Sequence, residues 1–388
     1  MPSMSLSHKL KLFSNYIYDM RLREIYNILF WVYPYWWNKK TAKFFLNKFY
    51  PKIGIDLFPP FLEIEPTTIC NFRCKTCEHT YWKEPSRNMT FEQFKYIFDQ
   101  FGKPKWLGLT GIGSSYLNKD FHKMIAYAKS KGTIVEVMDH FSHFKNENQI
   151  RELLEIGPDF QFVSIYGGTK KTSDSVCIGS DFSKVIENIK TFARLKKQMK
   201  KRFPIFSVHY IVTKDSKEEI FNFLDFLKSL DTEIAEVLVT PMLHDFKDAK
   251  EYAVDLEPEY IEKVRKKSEE VKIPVTVNMI AYKEAEKLKE KPSMDCCKEY
   301  IMPFVFVDGK ISPCCGLNEA NQRELLKKNS PGNLFQTNLK KVWYSPQYRK
   351  IRNMIRNNQC PRECAMCPAY VAENMKSSTK NLIVSARC

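Results

Sequence analysis

The sequence lacks an apolar run of the roughly 20 residues that a bilayer-spanning helix needs. Its densest apolar stretch, Ile25 to Trp37, is shorter and is interrupted by Pro34. No small-residue cleavage site follows that stretch, so it does not have the layout of a secretion signal. Internal repeats and long low-complexity segments are also missing. With 44% hydrophobic and 27% charged residues, a collagenous or wholly disordered chain is excluded. Acidic charge is in short supply, with 45 Asp+Glu against 61 Lys+Arg and a net charge of +16. The shortfall lies at the two ends. Residues 61–290 hold 36 basic and 35 acidic side chains, residues 1–60 hold nine and three, and residues 291–388 hold sixteen and seven. A neutral middle speaks against a uniformly basic nucleic-acid-binding domain, and no nucleic-acid partner is expected.

At 388 residues the chain fits two or three domains of about 100–200 residues each. Fifteen of the first sixty residues are Phe, Tyr or Trp, and Lys39 and Lys40 follow the densest run of rings. That composition suits an aromatic helical lid packed on the next domain, or contact with an anionic membrane surface; the two are compatible. From Phe61 onward, short β-branched runs alternate with amphipathic stretches. The pattern predicts strands over 61–65, 105–110, 133–138, 160–165, 205–212 and 235–240. It predicts helices over about 90–101, 119–131, 146–155, 181–197, 216–230 and 258–270, the first opened by a Thr90–Gln93 capping box. Alternation of this kind predicts an α/β fold with a parallel sheet, either open or a partial barrel, whose function sits at the C-terminal ends of the strands. A Lys/Glu-rich stretch, 283–291, reads as a boundary. Beyond it, 304–315 reads as a hairpin turning at Asp308-Gly309, and Ser345-Pro346 opens a basic helix. The organisation expected is an N-terminal element over 1–58, a core over 59–285, a small domain over 286–374 and a polar tail over 375–388.

Twelve cysteines fall mainly in two groups. A disulfide scaffold fits poorly with so long a chain and such tight spacing, which favours thiolate ligation of a metal. Cys70, Cys74 and Cys77 follow the first strand directly. Three thiolates suffice to hold a cube of four irons and leave one iron open; a Cys3His zinc site using His79 is the alternative on spacing. Cys296, Cys297, Cys314, Cys315, Cys360, Cys364 and Cys367 form the second group, for which a zinc ribbon is the plain alternative.

The CxxxCxxC run after the first strand of a six-fold βα pattern resembles the radical S-adenosylmethionine (SAM) enzymes. The resemblance covers about 61–270. It implies a partial (β/α)6 barrel, a [4Fe–4S] cluster on Cys70, Cys74 and Cys77, and SAM bound to the open iron. It also implies reductive cleavage of SAM to a 5′-deoxyadenosyl radical that abstracts a substrate hydrogen. Gly111, Gly113 and Ser114 stand where the family binds the SAM amino group, and Ser164 where it contacts ribose or carboxylate. Three positions depart from the pattern. Ser114 replaces the usual Glu, Thr76 replaces an aromatic, and Cys177 stands where relatives often place Arg. Cys177 is either a small buried residue or a thiol near the radical that serves as hydrogen donor or substrate contact.

Residues 292–370 resemble the SPASM/twitch auxiliary-cluster domains. This implies one auxiliary [4Fe–4S] cluster, with Cys297, Cys314, Cys364 and Cys367 as the best ligand set and Cys296, Cys315 and Cys360 as substitutes. The combination resembles radical SAM dehydrogenases and peptide maturases. It implies oxidation or rearrangement of a peptide, a sugar-type alcohol or a lipid headgroup, with a flavodoxin or ferredoxin as electron donor. A cytoplasmic protein, peripheral to a membrane through its N-terminal element, is expected. A degenerate, non-catalytic iron–sulfur protein and an RNA-modifying enzyme are the competing expectations.

Overall fold

The computed structural model describes residues 6–82, 84–230, 232–241, 252, 254, 256–277, 299–314, 323–361 and 364. Its centre is one mixed sheet of nine strands that does not close on itself. The strands of this sheet are β1 (Phe61–Ile64), β3 (Trp106–Leu109), β4 (Ile134–Asp139), β5 (Phe160–Ile165), β7 (Ile205–Val212), β8 (Ile234–Pro241), β9 (Val275–Val277), β10 (Phe304–Val305) and β11 (Ile311–Ser312). Two short strands, β2 (Arg73–Cys74) and β6 (Cys177–Ile178), form a separate ribbon. The order in the large sheet is β11-β10-β1-β3-β4-β5-β7-β8-β9, and every neighbouring pair is parallel except β10–β11.

The six strands predicted from alternation are all present, with a helix after each. The helix Glu147–Ile156 shows why. Asn146 caps it by accepting from the Gln149 amide, Ile150, Leu153 and Leu154 turn to the sheet, and Gly157 ends it with φ +59°. The Thr90–Gln93 capping box forms as its spacing requires. One connection was not legible. The predicted 304–315 hairpin does turn at Gly309, whose φ is +81° and where a Cβ would come within 2.5 Å of the Phe335 ring. Its first strand, however, joins the barrel sheet beside β1, with Glu63 opposite Phe304 and Ile64 opposite Val305. The C-terminal region is thus hydrogen-bonded to the barrel, and the expected boundary at 283–291 lies outside the described residues.

The N-terminal element is helical: α1 (Leu6–Tyr18), α2 (Leu22–Asn27) and α3 (Lys39–Phe44). Between α2 and α3 runs a π-helical segment, Ile28–Trp37, that contains Pro34. Proline has no amide hydrogen to give the preceding turn, and a widened turn is one way a helix absorbs that loss. The inner face of the element, with Tyr16, Ile28, Val32 and Tyr35, packs against Phe61, Trp106, Ile134, Phe160 and Ile205. Those five are the first residues of β1, β3, β4, β5 and β7, so the element covers the N-terminal ends of the strands. Polar ties fix it there. Arg21 reaches Asp159 at 2.9 Å, Lys129 holds both Glu24 (2.6 Å) and Asp159 (2.7 Å), and the Asn27 amide donates to the Gly132 carbonyl at 2.8 Å.

Candidate functional site at the C-terminal ends of the strands

The chain leaves β1 at Glu65 and enters the loop that carries Cys70, Cys74 and Cys77. Cys74 lies on β2, directly opposite Cys177 on β6. The Lys75 amide donates to the Val176 carbonyl at 2.9 Å, which makes Cys74 and Cys177 a non-hydrogen-bonded cross-strand pair, the kind whose side chains stand closest. Phe72, Cys74, Val176 and Cys177 form a small buried cluster, with Cys70, Cys77 and Tyr166 packed on it. Burial pushes the Cys70 thiol up to about 11. The Cys177 hydrogen bond and burial raise Cys74, and burial, then the nearby Cys74, raises Cys77. Without a cation the thiols of Cys70, Cys74 and Cys77 stay protonated. A cation at their centre reverses this by stabilising thiolates, so the donor set fits an iron–sulfur cluster.

The fourth ligand that a zinc site would take is His79. His79 hydrogen-bonds the Thr68 carbonyl through Nε2 at 2.9 Å, and its Nδ1 lies 3.5 Å from Arg73. Among the described residues, no three His, Cys, Asp or Glu side chains are grouped as a single-ion site requires.

Loops from four strands meet around the cysteines. After β3, Gly113 approaches the cysteine loop so closely that a Cβ would lie 2.5 Å from the Thr67 carbonyl oxygen, and a Cβ on Gly111 would lie 2.5 Å from Cγ of Glu65. The bare faces of both glycines therefore turn to the β1 loop. The buried Ser114 donates its hydroxyl to Asp139 Oδ2 at 2.8 Å, and its amide donates to the Ile69 carbonyl at 2.8 Å. Asp139, at the end of β4, is buried. Burial alone would raise its carboxyl, but His140, His143 and the Ser114 hydroxyl outweigh it and hold the group below the usual carboxylate range. The His140 ring stacks on Phe72 at 4.0 Å, joining the β4 loop to the cysteine loop. Thr76 is buried, and its hydroxyl has no protein partner. After β5, the loop at Gly167-Gly168 is held by Glu219, which accepts from the amides of Gly168 (2.7 Å) and Thr169 (3.2 Å) and from the Thr172 hydroxyl (2.7 Å). Ser164 lies half-buried near the end of β5, in register with His209.

A buried carboxylate ties this end of the barrel to the C-terminal region. Glu65 accepts both guanidinium branches of Arg323, at 2.7 and 2.6 Å, and the amides of Ile112 and Val307, each at 3.1 Å. Both side chains are fully buried, and Trp82 and Phe306 flank the guanidinium at 4.5 and 4.7 Å. Of the second cysteine group, Cys314 follows β11 and is buried. Cys364 is also buried and shares a core with Ile351 and Ile355, and Cys360 is partly buried against that core. Cys296, Cys297, Cys315 and Cys367 lie outside the described residues.

Sequence reasoning missed Asp139, Glu65, Arg323 and Glu219. Glu65 left a trace, a charge closing the apolar strand FLEIE. Arg323 left none, because its partner is 258 positions away.

A family model described as the radical SAM superfamily matches residues 64–227, and one described as an iron–sulfur cluster-binding SPASM domain matches 296–368. The chain is 21% identical over 324 residues to the tungsten-containing aldehyde ferredoxin oxidoreductase cofactor-modifying protein of Pyrococcus furiosus, covering 79% of this chain and 86% of that one. In structure it is similar to Streptococcus suis SuiB bound to S-adenosylmethionine, with a TM-score of 0.61, 18% identity, and coverage of 87% of this chain and 79% of SuiB. SuiB bound to the precursor peptide SuiA matches with a TM-score of 0.59 at 18% identity, over 86% of this chain and 74% of SuiB.

Replacing Glu65 by Gln removes the bidentate counter-charge of the buried Arg323 and leaves it only the longer contact to Glu84 at 3.3 Å. The expected loss is about 3–5 kcal/mol of unfolding free energy, read by anaerobic chemical denaturation. An unchanged denaturation midpoint would show that the pair is not a structural tie.

Proposed function

The chain belongs to the radical SAM superfamily, and on that footing we propose that it is an oxidoreductase that activates a C–H bond of a water-borne substrate. Membership brings a [4Fe–4S] cluster and SAM, and the SPASM domain brings further iron–sulfur binding. The observation that carries the reading is the convergence of Cys70, Cys74 and Cys77 where the β1, β3, β4 and β5 loops meet. Those three side chains would hold the SAM-binding cluster, and Cys297, Cys314, Cys364 and Cys367 the auxiliary one. When bound, the first cluster supplies the electron that cleaves SAM and so generates the radical that takes a substrate hydrogen.

The chain's own residues have distinct parts. Gly111, Gly113, Ser114 and Ser164 shape the SAM pocket. Asp139 supplies a carboxylate beside Ser114, at the place where the family resemblance looks for a Glu, and it is held ionised to receive an ammonium group. Cys177 faces Cys74 and offers an S–H at the edge of the site, as hydrogen donor or substrate contact. The electron donor is a flavodoxin or ferredoxin type. Lys350 on the helix Pro346–Arg356 presents positive charge to it, while Arg352 and Arg356 turn inward to Asp56 and the exposed Arg349 lies 3.9 Å from the same carboxylate. The substrate classes favoured are a peptide or a sugar-type alcohol. A lipid headgroup loses its support, because the aromatic element that motivated it covers the opposite end of the barrel. The same element supports a peripheral place at an anionic membrane surface.

Three experiments test the assignments. Reduced, cluster-loaded protein given SAM is expected to release 5′-deoxyadenosine. Changing Cys70, Cys74 and Cys77 together to Ala should abolish that release and lower iron from about eight to about four per chain. No 5′-deoxyadenosine from protein with both clusters intact would leave a degenerate iron–sulfur protein. Asp139→Asn is expected to weaken SAM binding about tenfold or more, at unchanged iron content. Equal affinity, read by equilibrium binding, would remove Asp139 from the pocket. Cys177→Ala should leave SAM cleavage running while product formation falls, and unchanged product formation would return Cys177 to a packing role.

A further inference from the structure

We infer that the outer face of the N-terminal element is a bilayer-docking surface for anionic lipid, and that it holds the barrel with its cysteine-bearing end turned away from the membrane. This rests on the membrane association proposed above and adds its contact residues and its orientation.

Among the described residues, thirteen of the sixteen exposed large hydrophobic side chains lie between Leu10 and Ile55. Five of them, Leu22, Tyr26, Leu29, Phe30 and Tyr33, recur at the spacing of one helical stripe. Leu22 is 65% exposed and Phe30 is 59% exposed. The opposite stripe, with Glu24, Asn27, Ile28 and Val32, is already buried on the barrel. Among the described residues, nothing covers the outer, apolar stripe, while the inner one is fixed to the barrel by the polar ties of Glu24 and Asn27 and the packing of Ile28 and Val32. A contiguous exposed apolar surface of this kind marks an interaction site.

Charge selects the occupant. Residues 1–60 carry three acids, and all three are engaged by other parts of the chain: Asp19 with Arg202 at 3.7 Å, Glu24 with Lys129, and Asp56 with Arg352 and Arg356. Lys40, Lys43, Lys48 and Lys52 are exposed, alternating with the exposed rings of Phe44 and Phe49. A second copy of the chain would set these lysines against their own kind. An anionic headgroup layer complements them while its acyl boundary takes the rings and leucines.

Position gives the orientation. The inner face of the element packs on the first residues of β1, β3, β4, β5 and β7. Cys70, Cys74 and Cys77 lie beyond the other ends of the strands. A bilayer touching the stripe therefore faces the closed end of the barrel, and substrate and electron donor approach from the aqueous side.

The test uses full-length, cluster-loaded protein under anaerobic conditions. It should float with vesicles of phosphatidylcholine and phosphatidylglycerol and stay behind with phosphatidylcholine alone. Equal behaviour with both vesicle types overturns the anionic assignment. Leu29→Ser with Phe30→Ser should cut vesicle affinity about a hundredfold. Lys40→Gln with Lys43→Gln and Lys48→Gln should cut it about fivefold per charge. Iron content and 5′-deoxyadenosine release in solution should hold, since none of these residues belongs to the site. Unchanged flotation of both variants refutes the surface. Hydrogen–deuterium exchange on the vesicle-bound protein reads the orientation. Slowing is expected in peptides over 22–33 and not in those over 140–145 or 167–181. The reverse pattern would refute the orientation and keep membrane association, whereas no flotation with anionic vesicles would remove both. A concentration-dependent dimer that the Leu29/Phe30 variant abolishes would assign the face to a second copy and overturn the proposal.

Discussion

Glu65 and Arg323 form the contact on which the architecture of the site turns. Moving both ions out of water costs several kcal/mol each, and Coulomb attraction recovers this only when the geometry is good and the remaining lone pairs are filled. Here the geometry is bidentate, and the two Glu65 oxygens also take the Ile112 and Val307 amides. One carboxylate thereby fixes four segments: the end of β1, the segment after β3, the β10–β11 hairpin and the helix Arg323–Lys328. Glutamates on β1 also dictate what β3 must be. A Cβ on Gly108 would meet Cγ of Glu63 at 2.8 Å, and one on Gly111 would meet Glu65 at 2.5 Å. The glycines of WLGLTG (106–111) are thus the reverse side of the acids in FLEIE. Glu65 positions the cysteine loop without touching a cysteine in any contact described above.

The two ends of the barrel are built from different chemistry. At the N-terminal ends, large rings and a charged tie at Asp159 close the sheet and leave an aromatic face outward. At the C-terminal ends, buried thiols, a buried carboxylate and close-packed glycine backbone meet in one place. In the second arrangement, burial disfavours the thiolates of Cys70 and Cys77, and a cation such as a metal cluster supplies would stabilise them.

Much of this was legible in the sequence, for identifiable reasons. Each strand–helix unit is specified within about 35 residues by periodicity and caps, as Asn146, Thr90 and Gly157 show. The cysteine loop was legible because CxxxCxxC is local. What escaped were pairings between distant segments: β10 beside β1, Arg323 on Glu65, and Glu219 beneath the Gly168 loop. None leaves a period or a motif, and each is decided by which edge of a sheet remains open once the units have assembled. The N-terminal element was half legible. Its composition announced an unusual surface, but the end of the barrel it would cover depends on tertiary contacts at Phe61, Trp106 and Ile134.

Ser114 shows why a departure from a family pattern is poor evidence for lost function. Read along the chain, a serine where relatives carry glutamate removes a carboxylate from the segment after β3. In space the carboxylate returns from the next strand, because Asp139 reaches across to accept the Ser114 hydroxyl. The serine is short enough to leave room for it. A glutamate at 114 beside a buried Asp139 would bring two negative charges together and force one to keep its proton. Serine and aspartate are thus a matched pair, one supplying a donor and the other the charge. Cys177 fits the same logic. An arginine opposite Cys74 would need a counter-charge in a cluster made of Phe72, Val176 and thiols, and that cluster offers none. A cysteine needs none, and it places a fourth sulfur against the triad.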